Sequence, residues 1–239
     1  SYLKDFPLPA KEQELWQFDV LMNVDGVRID RDMVESALYV DTILNYRLME
    51  ESKIITGLAN PNSTAQLLPW LKANTDIEVN NLQKETVSNL IALTSGEVKR
   101  VLEIRQEASK TSTKKYVAMK EAAGEDDRVR GLIQFYGANR TGRYAGRLVQ
   151  VQNLPRNYLE DLDFPRNLVK AKNIDALEVM YGSISDTLSQ LIRTAFIPKE
   201  DKKFIIADYS AIEARVIAWL AGEQWRLEVF KTHGKIYEA

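Results

Sequence analysis

The sequence predicts an α+β protein that is mostly helical, with a helical subdomain and a partial second subdomain built on a small β-sheet. Three observations support this fold class. Apolar residues recur at helical spacing over long stretches that begin at N-cap residues, most clearly after Asp30. Runs with strand character are short, and the clearest are Val27 to Ile29 and Phe204 to Ala207. Hydrophobic residues make up 45% and charged residues 28%, which is ordinary for a globular protein with a core.

Composition argues against several kinds of site and limits the choice of partner. The chain has no cysteine and one histidine, which argues against a disulfide framework and against a Cys- or His-based zinc site. No apolar run approaches the roughly 20 residues that span a bilayer, so we expect no membrane partner. The net charge of −2 means that a nucleic-acid partner has to be bound by local positive charge.

The first ninety residues are predicted to form helices separated by turns. Asp25-Gly26 is a turn signal, and Val27 and Ile29 alternate as in a short strand. Asp30 then occupies the N-cap position of a long helix that runs towards Ser52. The other elements expected here are a helix at Lys11–Met22, a helix capped by Ser63 that carries Leu67, Leu68 and Leu71, a polar loop at 72–80 and a short helix at Lys84–Leu93.

A single long helix is predicted from Glu97 to about Ala122, and it is strongly basic. A solvated charged face is the usual explanation for such a run. The hydroxyl groups of residues 111–113 stand beside lysines, a mixture that suits phosphate oxygens. Both interpretations stay open at this point. The basic residues are Lys99, Arg100, Arg105, Lys110, Lys114, Lys115 and Lys120.

Residues 129–156 contain no acidic residue and are rich in arginine and glycine. Glycine lets a backbone approach a polyanion closely, and the arginine fork binds phosphate or base-edge acceptors. A plain surface hairpin is the weaker explanation, because five like charges repel one another without a counterion. The arginines are Arg130, Arg140, Arg143, Arg147 and Arg156, and the polar residues Gln150, Gln152 and Asn153 follow the hairpin.

Residues 157–190 include a helical run from Asp175 to Tyr181 and further acidic residues at Asp161 and Asp163. These carboxylates do not have the spacing of a metal site. We therefore expect a solvated surface excursion.

The stretch from Lys203 to Leu220 joins a strand pattern to a helix pattern. Phe204 to Ala207 has the character of a buried strand, and a helix is predicted from Ser210 with Gly222 as its C-cap. Asp208 then stands at the carboxyl end of a strand, where α/β proteins present ligand-binding groups. Two plainer readings stay open, in which Asp208 is a turn residue and Ser210-x-x-Glu213 is a capping box. The apolar helix face expected here is Ile212, Val216, Trp219 and Leu220.

Two motifs carry a family resemblance. Asp208-Tyr209-Ser210, continued by Ile212, Glu213 and Arg215, resembles motif A of the family A DNA polymerases, the DNA polymerase I relatives. Upstream, Thr141-Gly142-Arg143 followed by Gln152-Asn153-Leu154-Pro155 resembles the family signature of TGR and then QN-[IL]-P. Residues 157–190 depart from the bacterial pattern and are similar to the phage-encoded branch of the family.

The resemblance implies roles for individual residues. Asp208 would bridge two Mg²⁺ ions, the Tyr209 backbone carbonyl would add a ligand, and Glu213 would block a ribose 2′-hydroxyl. Arg215 and Arg193 would support the site, and His233 or Tyr237 lies near where the family has a histidine that starts the fingers. Arg143 and Gln152 would contact the minor-groove edge of the primer-terminal base pairs. The full DNA-binding set is Arg143, Gln152, Asn153, Lys110, Lys114, Lys115, Arg140, Arg147 and Arg156.

The resemblance also implies a domain organisation. We expect a polymerase-module entry at 1–29, a helical thumb at 30–125, a partial palm at 126–222 and the start of the fingers at 223–239. Two further family motifs, a fingers helix and a His-Asp-Glu turn, are not found in this sequence. Since the chain starts at Ser1 and stops inside a predicted helix, we expect it to be a fragment that is inactive alone.

The function implied is that of a DNA-directed DNA polymerase fragment in the cytoplasm of a bacterial host cell. Its partners would be primer–template DNA and, in the complete enzyme, deoxynucleoside triphosphates. The alternative is a non-catalytic DNA-binding module derived from a thumb and palm. A helical adaptor with an accidental resemblance is a third, more remote reading. The motifs downstream in the longer protein would separate the first two.

Overall fold

A computed structural model describes residues 7–232 and Gly234, so His233 and Tyr237 lie outside the described residues. The chain divides into two compact units, Ser1–Ile197 and Pro198–Ala239. The helices are α1 (Ala10–Asp25), α2 (Arg31–Thr56), α3 (Thr64–Asn74), α4 (Lys84–Leu93), α5 (Gly96–Ala108), α6 (Lys114–Ala122), α7 (Asp163–Lys170), α8 (Ile174–Tyr181), α9 (Ile184–Leu191), α10 (Ile212–Ala221) and α11 (Gln224–Thr232). The strands are β1 (Val27–Arg28), β2 (Arg128–Val129), β3 (Ile133–Ala138) and β4 (Arg143–Gly146). The prediction of a mostly helical α+β protein is confirmed.

The long helix α2 is the centre of the first unit. Asp30 caps it as predicted, because its carboxylate accepts a hydrogen bond from the Met33 amide at 3.0 Å. The other Asp30 oxygen pairs with Arg166 and, at 3.2 Å, with Lys170. Burial opposes ionisation of this carboxyl, but the Met33 amide and the two cations outweigh it, so the pKa of Asp30 is lowered. Gly57 ends the helix with a left-handed φ of 69°.

The predicted single helix from Glu97 to Ala122 is wrong, because α5 and α6 are separated at residues 109–113. Three consecutive hydroxyl residues occupy the break, and such side chains favour turns over helix interiors. Backbone bonds of the turn type bridge it, from the Lys114 amide to the Thr111 carbonyl and from the Tyr116 amide to the Thr113 carbonyl. Tyr116 is then fully buried, and its hydroxyl donates to the Leu188 carbonyl at 2.8 Å.

Residues 157–190 do not form the predicted surface excursion. Helices α7, α8 and α9 pack on one another, and α7 and α9 also pack against α2. The side chains of Val169, Leu177 and Leu188 are fully buried in the same core as α2. Burying these apolar residues stabilises the segment as part of the main body, which is why it does not protrude. A second, smaller core joins α3, α4 and α5 around Leu67, Leu71 and Leu102.

Two small antiparallel sheets complete the first unit. In one, Val27 of β1 pairs with Val129 of β2. In the other, β3 and β4 form a hairpin in which Ala138 pairs with Arg143, with an irregular register between Gln134 and Ala138. The Asn23 side chain joins α1 to this hairpin, since it donates to the Ile133 carbonyl at 2.9 Å and accepts from the Ile133 amide at 3.2 Å.

The second unit consists of an extended segment followed by α10 and α11. The predicted buried strand at Phe204–Ala207 is wrong. Within the described residues this segment pairs with no other strand, and Ile205 and Ile206 are 87% and 90% exposed. A strand is stabilised by a hydrogen-bonded neighbour, and the unit supplies none in the part that is described. The expected face of α10 is likewise solvent-exposed: Ile212, Val216, Trp219 and Leu220.

The ends of α10 were predicted with mixed success. Gly222 caps the helix with a left-handed φ of 68°, as expected. The capping box at Ser210 and Glu213 is wrong, because Ala211 is the N-cap residue and makes no side-chain capping bond. No helix in the described part of the chain is both long and apolar enough to cross a bilayer.

Candidate nucleic-acid interface

Residues 149–155, here named the QN turn, present two polar side chains on an anchored backbone. Val149 and Leu154 are buried, whereas Gln152 and Asn153 between them are exposed. A short 3₁₀ helix, Val151–Asn153, forms the turn, and the Asn153 amide donates to the Gln150 carbonyl at 2.9 Å. Gln150 adopts a left-handed φ of 53° to enter it. The turn therefore displays the two side chains that the signature predicted.

Two cations hold the backbone of the QN turn at its ends. The Lys115 ammonium, on α6, donates to the Val149 carbonyl at 2.6 Å. The Arg193 guanidinium donates from Nη2 to the Leu154 carbonyl and from Nε to the Pro155 carbonyl, each at 3.0 Å. Hydrogen bonds from charged donors are stronger than neutral ones. Arg193 thus holds one end of the turn, and Lys115 has a contact within the protein that the sequence did not reveal.

Gln152 also packs against the hairpin. A Cβ built on Gly146 would lie 1.7 Å from Gln152 Oε1, which is far closer than any real contact. Only glycine at position 146 leaves room for the carboxamide where it lies. Gln152 therefore lies beside β4, whose first residue is Arg143.

The hairpin itself displays the arginines. Arg140, Arg143 and Arg147 are all exposed, and Gly142 in the turn has a left-handed φ of 67°. Arg130, which precedes the hairpin, pairs with Asp126 through two hydrogen bonds of 2.9 and 2.6 Å. The Arg130 guanidinium lowers the pKa of Asp126 to about 2. Arg130 is therefore committed to a carboxylate of the protein.

The three lysines predicted to bind DNA, Lys110, Lys114 and Lys115, have different surroundings. Lys114 is exposed and pairs with no carboxylate in the part of the chain that is described. Lys110 donates to Ser183 Oγ at 2.8 Å and to Glu107 at 3.3 Å. An open cleft of about 670 Å³ lies beside them, lined by Lys84, Gln106, Ser109, Lys110, Thr111, Ser112, Lys115, Asn153, Pro155, Asp186 and Ser189.

Glu107 connects α5 to the 157–190 segment. Its carboxylate accepts hydrogen bonds from Ser183 Oγ at 2.9 and 2.8 Å and from the Ser185 amide at 2.9 Å. Burial opposes ionisation, but these bonds and the charge of Lys110 outweigh it, so the pKa of Glu107 is lowered. Sequence spacing carries no signal for this contact, because the partners are separated by more than seventy residues.

The predicted motif A residues lie in the second unit. Asp208, Tyr209 and Glu213 are exposed, and Glu213 is in the first turn of α10. Arg215 donates to the Ser210 carbonyl at 2.8 Å and stacks over the Phe230 ring at 4.4 Å. The described residues include no group of three His, Cys, Asp or Glu side chains that could hold a metal. Asp208 and the Tyr209 carbonyl are oxygen donors of the kind Mg²⁺ accepts, but two donors do not complete its coordination.

Comparison with known proteins identifies the family of the chain. The family model described as DNA polymerase family A matches residues 41–239. The chain belongs to DNA polymerase family A. The family A chain is 58% identical over 229 residues to the DNA polymerase of Bacillus phage SP02. That match covers 95% of this chain but 35% of the phage protein, so the chain spans about a third of its relative's length. No solved structure matches.

Proposed function

We propose that this family A chain is the primer–template-contacting part of a DNA-directed DNA polymerase, which carries out template-directed nucleotidyl transfer in replication. Family membership supports the reaction class. The observation that carries the proposal is the QN turn, whose anchored backbone exposes Gln152 and Asn153 beside the arginine hairpin. The expected site of action is the cytoplasm of a bacterial host cell.

The hairpin and the QN turn supply the donors that such an enzyme needs. Every Watson–Crick pair presents purine N3 and pyrimidine O2 acceptors in the minor groove. Donors such as Arg143 and Gln152 therefore recognise the shape of a base pair without reading its sequence. Lys110, Lys114, Arg140, Arg147 and Arg156, together with Asn153, are proposed to contact the DNA backbone, which sets affinity.

The second unit supplies one part of the catalytic site. We assign Asp208 and the Tyr209 carbonyl as Mg²⁺ ligands in the complete enzyme and Glu213 as the residue that selects the nucleotide sugar. Two bound Mg²⁺ ions would stabilise charge on the attacking and leaving oxygens. Arg215 supports this segment through the Ser210 carbonyl. Because Asp208 and one carbonyl are too few ligands, the chain by itself is expected to bind DNA without extending a primer.

The test is equilibrium binding of a fluorescein-labelled primer–template to the chain at salt concentrations from about 50 to about 200 mM. The logarithm of affinity should fall with log salt at a slope of about −0.9 per phosphate contact. Replacing Arg147 by Gln should reduce that slope by about one contact, whereas Arg47→Gln, at an exposed ion pair with Asp175, should not. Affinity that does not change with salt would contradict the proposal.

A further inference from the structure

Three aromatic rings form a cluster on the β3–β4 hairpin. Phe135 is edge-on to Tyr136, with ring centroids 5.7 Å apart, and to Tyr144, with centroids 5.8 Å apart. Phe135 is partly buried, but Tyr136 is 54% exposed and Tyr144 is 42% exposed. The partly buried ring of Phe135 thus packs against both tyrosine rings, which lie at the surface of the hairpin.

Tyr136 has an unusual backbone. It adopts a φ of 56°, in the left-handed region that is unfavourable for a bulky side chain, within the irregular part of the β3–β4 register. The conformation is strained for an L-residue that carries a large side chain. Strained conformations of this kind cluster at binding sites, where the surrounding structure holds them.

The ring of Tyr136 is seated on the hairpin turn. A Cβ built on Gly142 would lie 2.8 Å from Tyr136 Cζ and 3.0 Å from its hydroxyl oxygen. Glycine at 142 therefore lets the ring lie against the turn, immediately before Arg143. The ring is held at one side by the turn and remains half exposed to solvent.

The hairpin that carries Tyr136 also carries exposed arginines. Residues 129–156 contain no carboxylate, and Arg140, Arg143 and Arg147 are exposed on the same hairpin. Tyr144 differs, because burial and the carboxylates Asp19 and Glu12 raise its pKa, which places it near negative charge. Of the two exposed rings, Tyr136 is the one suited to a polyanion.

We propose that Tyr136 is a stacking residue for an unpaired base of single-stranded DNA, with Arg140 and Arg147 neutralising the neighbouring phosphates. Aromatic side chains in a positively charged groove bind single strands in this way, and they tolerate any sequence because every base has a π-face. The inference rests on the proposed function. It goes beyond it because the family signature assigns contacts to base edges and phosphates, not to a ring on this hairpin.

The experiment measures binding of a labelled 12-nucleotide single strand to the chain at several salt concentrations, for the wild type and for Tyr136→Phe, Tyr136→Leu and Tyr136→Ala. Losing one base–aromatic stack weakens binding by about fivefold or more. The Leu and Ala variants should show that loss equally at every salt concentration, with an unchanged salt slope. The Phe variant should bind like the wild type, because stacking needs the ring and not the hydroxyl.

Controls separate stacking from folding and from charge. Tyr46 on α2 is 65% exposed, so Tyr46→Leu is a matched change that should leave binding unchanged. Arg140→Gln should instead reduce the salt slope. Equal affinity of the Leu and Phe variants would overturn the stacking role, even if Ala fails to fold. Binding to primer–template but not to the single strand would overturn this inference alone, whereas binding to neither would contradict the proposed function as well.

Discussion

The guanidinium Nε of Arg193 lies 3.0 Å from the Pro155 carbonyl oxygen, at the end of the QN turn. A second bond from the same guanidinium reaches the Leu154 carbonyl at 3.0 Å. Arg193→Gln removes the charged fork, so the turn should open more often and its amides should exchange faster. The amide to follow by hydrogen exchange is that of Asn153, which is bonded to Gln150 within the turn.

Arg193→Lys and Arg47→Gln serve as controls for that exchange measurement. Lysine keeps the charge but lacks the planar fork, so it should restore only part of the protection. Arg47 pairs with Asp175 at an exposed site, and its replacement should leave the Asn153 amide unchanged. Unchanged exchange in Arg193→Gln would show that the two bonds do not position the turn.

Neighbouring lysines on α6 should respond differently to the same change. Lys115→Met leaves the Val149 carbonyl without its donor at a buried residue, so unfolding free energy should fall by about 1–3 kcal/mol. Lys114→Met should leave stability unchanged and reduce the salt slope of DNA binding by about one contact. Urea denaturation and DNA titration of both variants check this. Equal effects of the two substitutions on either quantity would refute the division of roles.

The lowered pKa of Glu107 leads us to expect that the stability of the protein depends on pH. Its pKa is lowered below the ordinary 4.5, so the folded state favours the carboxylate. The stabilisation is present above the unfolded-state value and is lost as pH falls through the lower folded-state value. Glu107→Gln should therefore reduce stability at pH 7 by about 1–2 kcal/mol. The difference from the wild type should shrink below pH 4.5, as followed by urea denaturation across pH. Asp175→Asn at the exposed pair is the matched control, and a difference that stays constant with pH would be contrary evidence.

Gly146→Ala should displace Gln152 without removing any charge. The new methyl group would occupy the place of the Gln152 carboxamide, 1.7 Å from its Oε1. In a complete polymerase we expect slower primer extension with nearly unchanged DNA affinity, since phosphate contacts set affinity and base contacts report pair geometry. Single-turnover extension and DNA titration measure the two quantities. Equal losses of extension rate and of DNA affinity would mean that Gln152 has a structural role and does not contact the base pair.

Local patterns predicted much of the helical framework. The Asp30 cap, the short strand after Gly26, the helix at Lys84–Leu93 and the Gly222 cap all follow from side chains next to the backbone they control. The pairings between distant segments did not. The contacts of Glu107 with Ser183 and of Lys115 with Val149 are set by packing, and neither partner's sequence position signals the other.

The wrong predictions for Phe204–Ala207 and for residues 157–190 have the same physical origin, because burial depends on packing partners that a local pattern does not show. Apolar character at Phe204–Ala207 predicted burial, but burial depends on a partner surface, and the second unit provides none in its described residues. The acidic residues of the 157–190 segment suggested solvation, although its apolar residues at helical spacing pack against α2. Charge counts were a poor guide there, because a few exposed carboxylates are compatible with a buried apolar face.

The central claim, that this family A chain contributes DNA contacts and a metal-binding aspartate to a polymerase, is tested most directly by primer extension. The proteins are the chain alone and the phage SP02 DNA polymerase carrying this chain in place of its matched segment, each with and without Asp208→Ala. With Mg²⁺ and four nucleotides, only the chimaera with Asp208 should extend the primer, and its Asp208→Ala variant should still bind the DNA. Extension by the Asp208→Ala chimaera, or by the chain alone, would contradict the account.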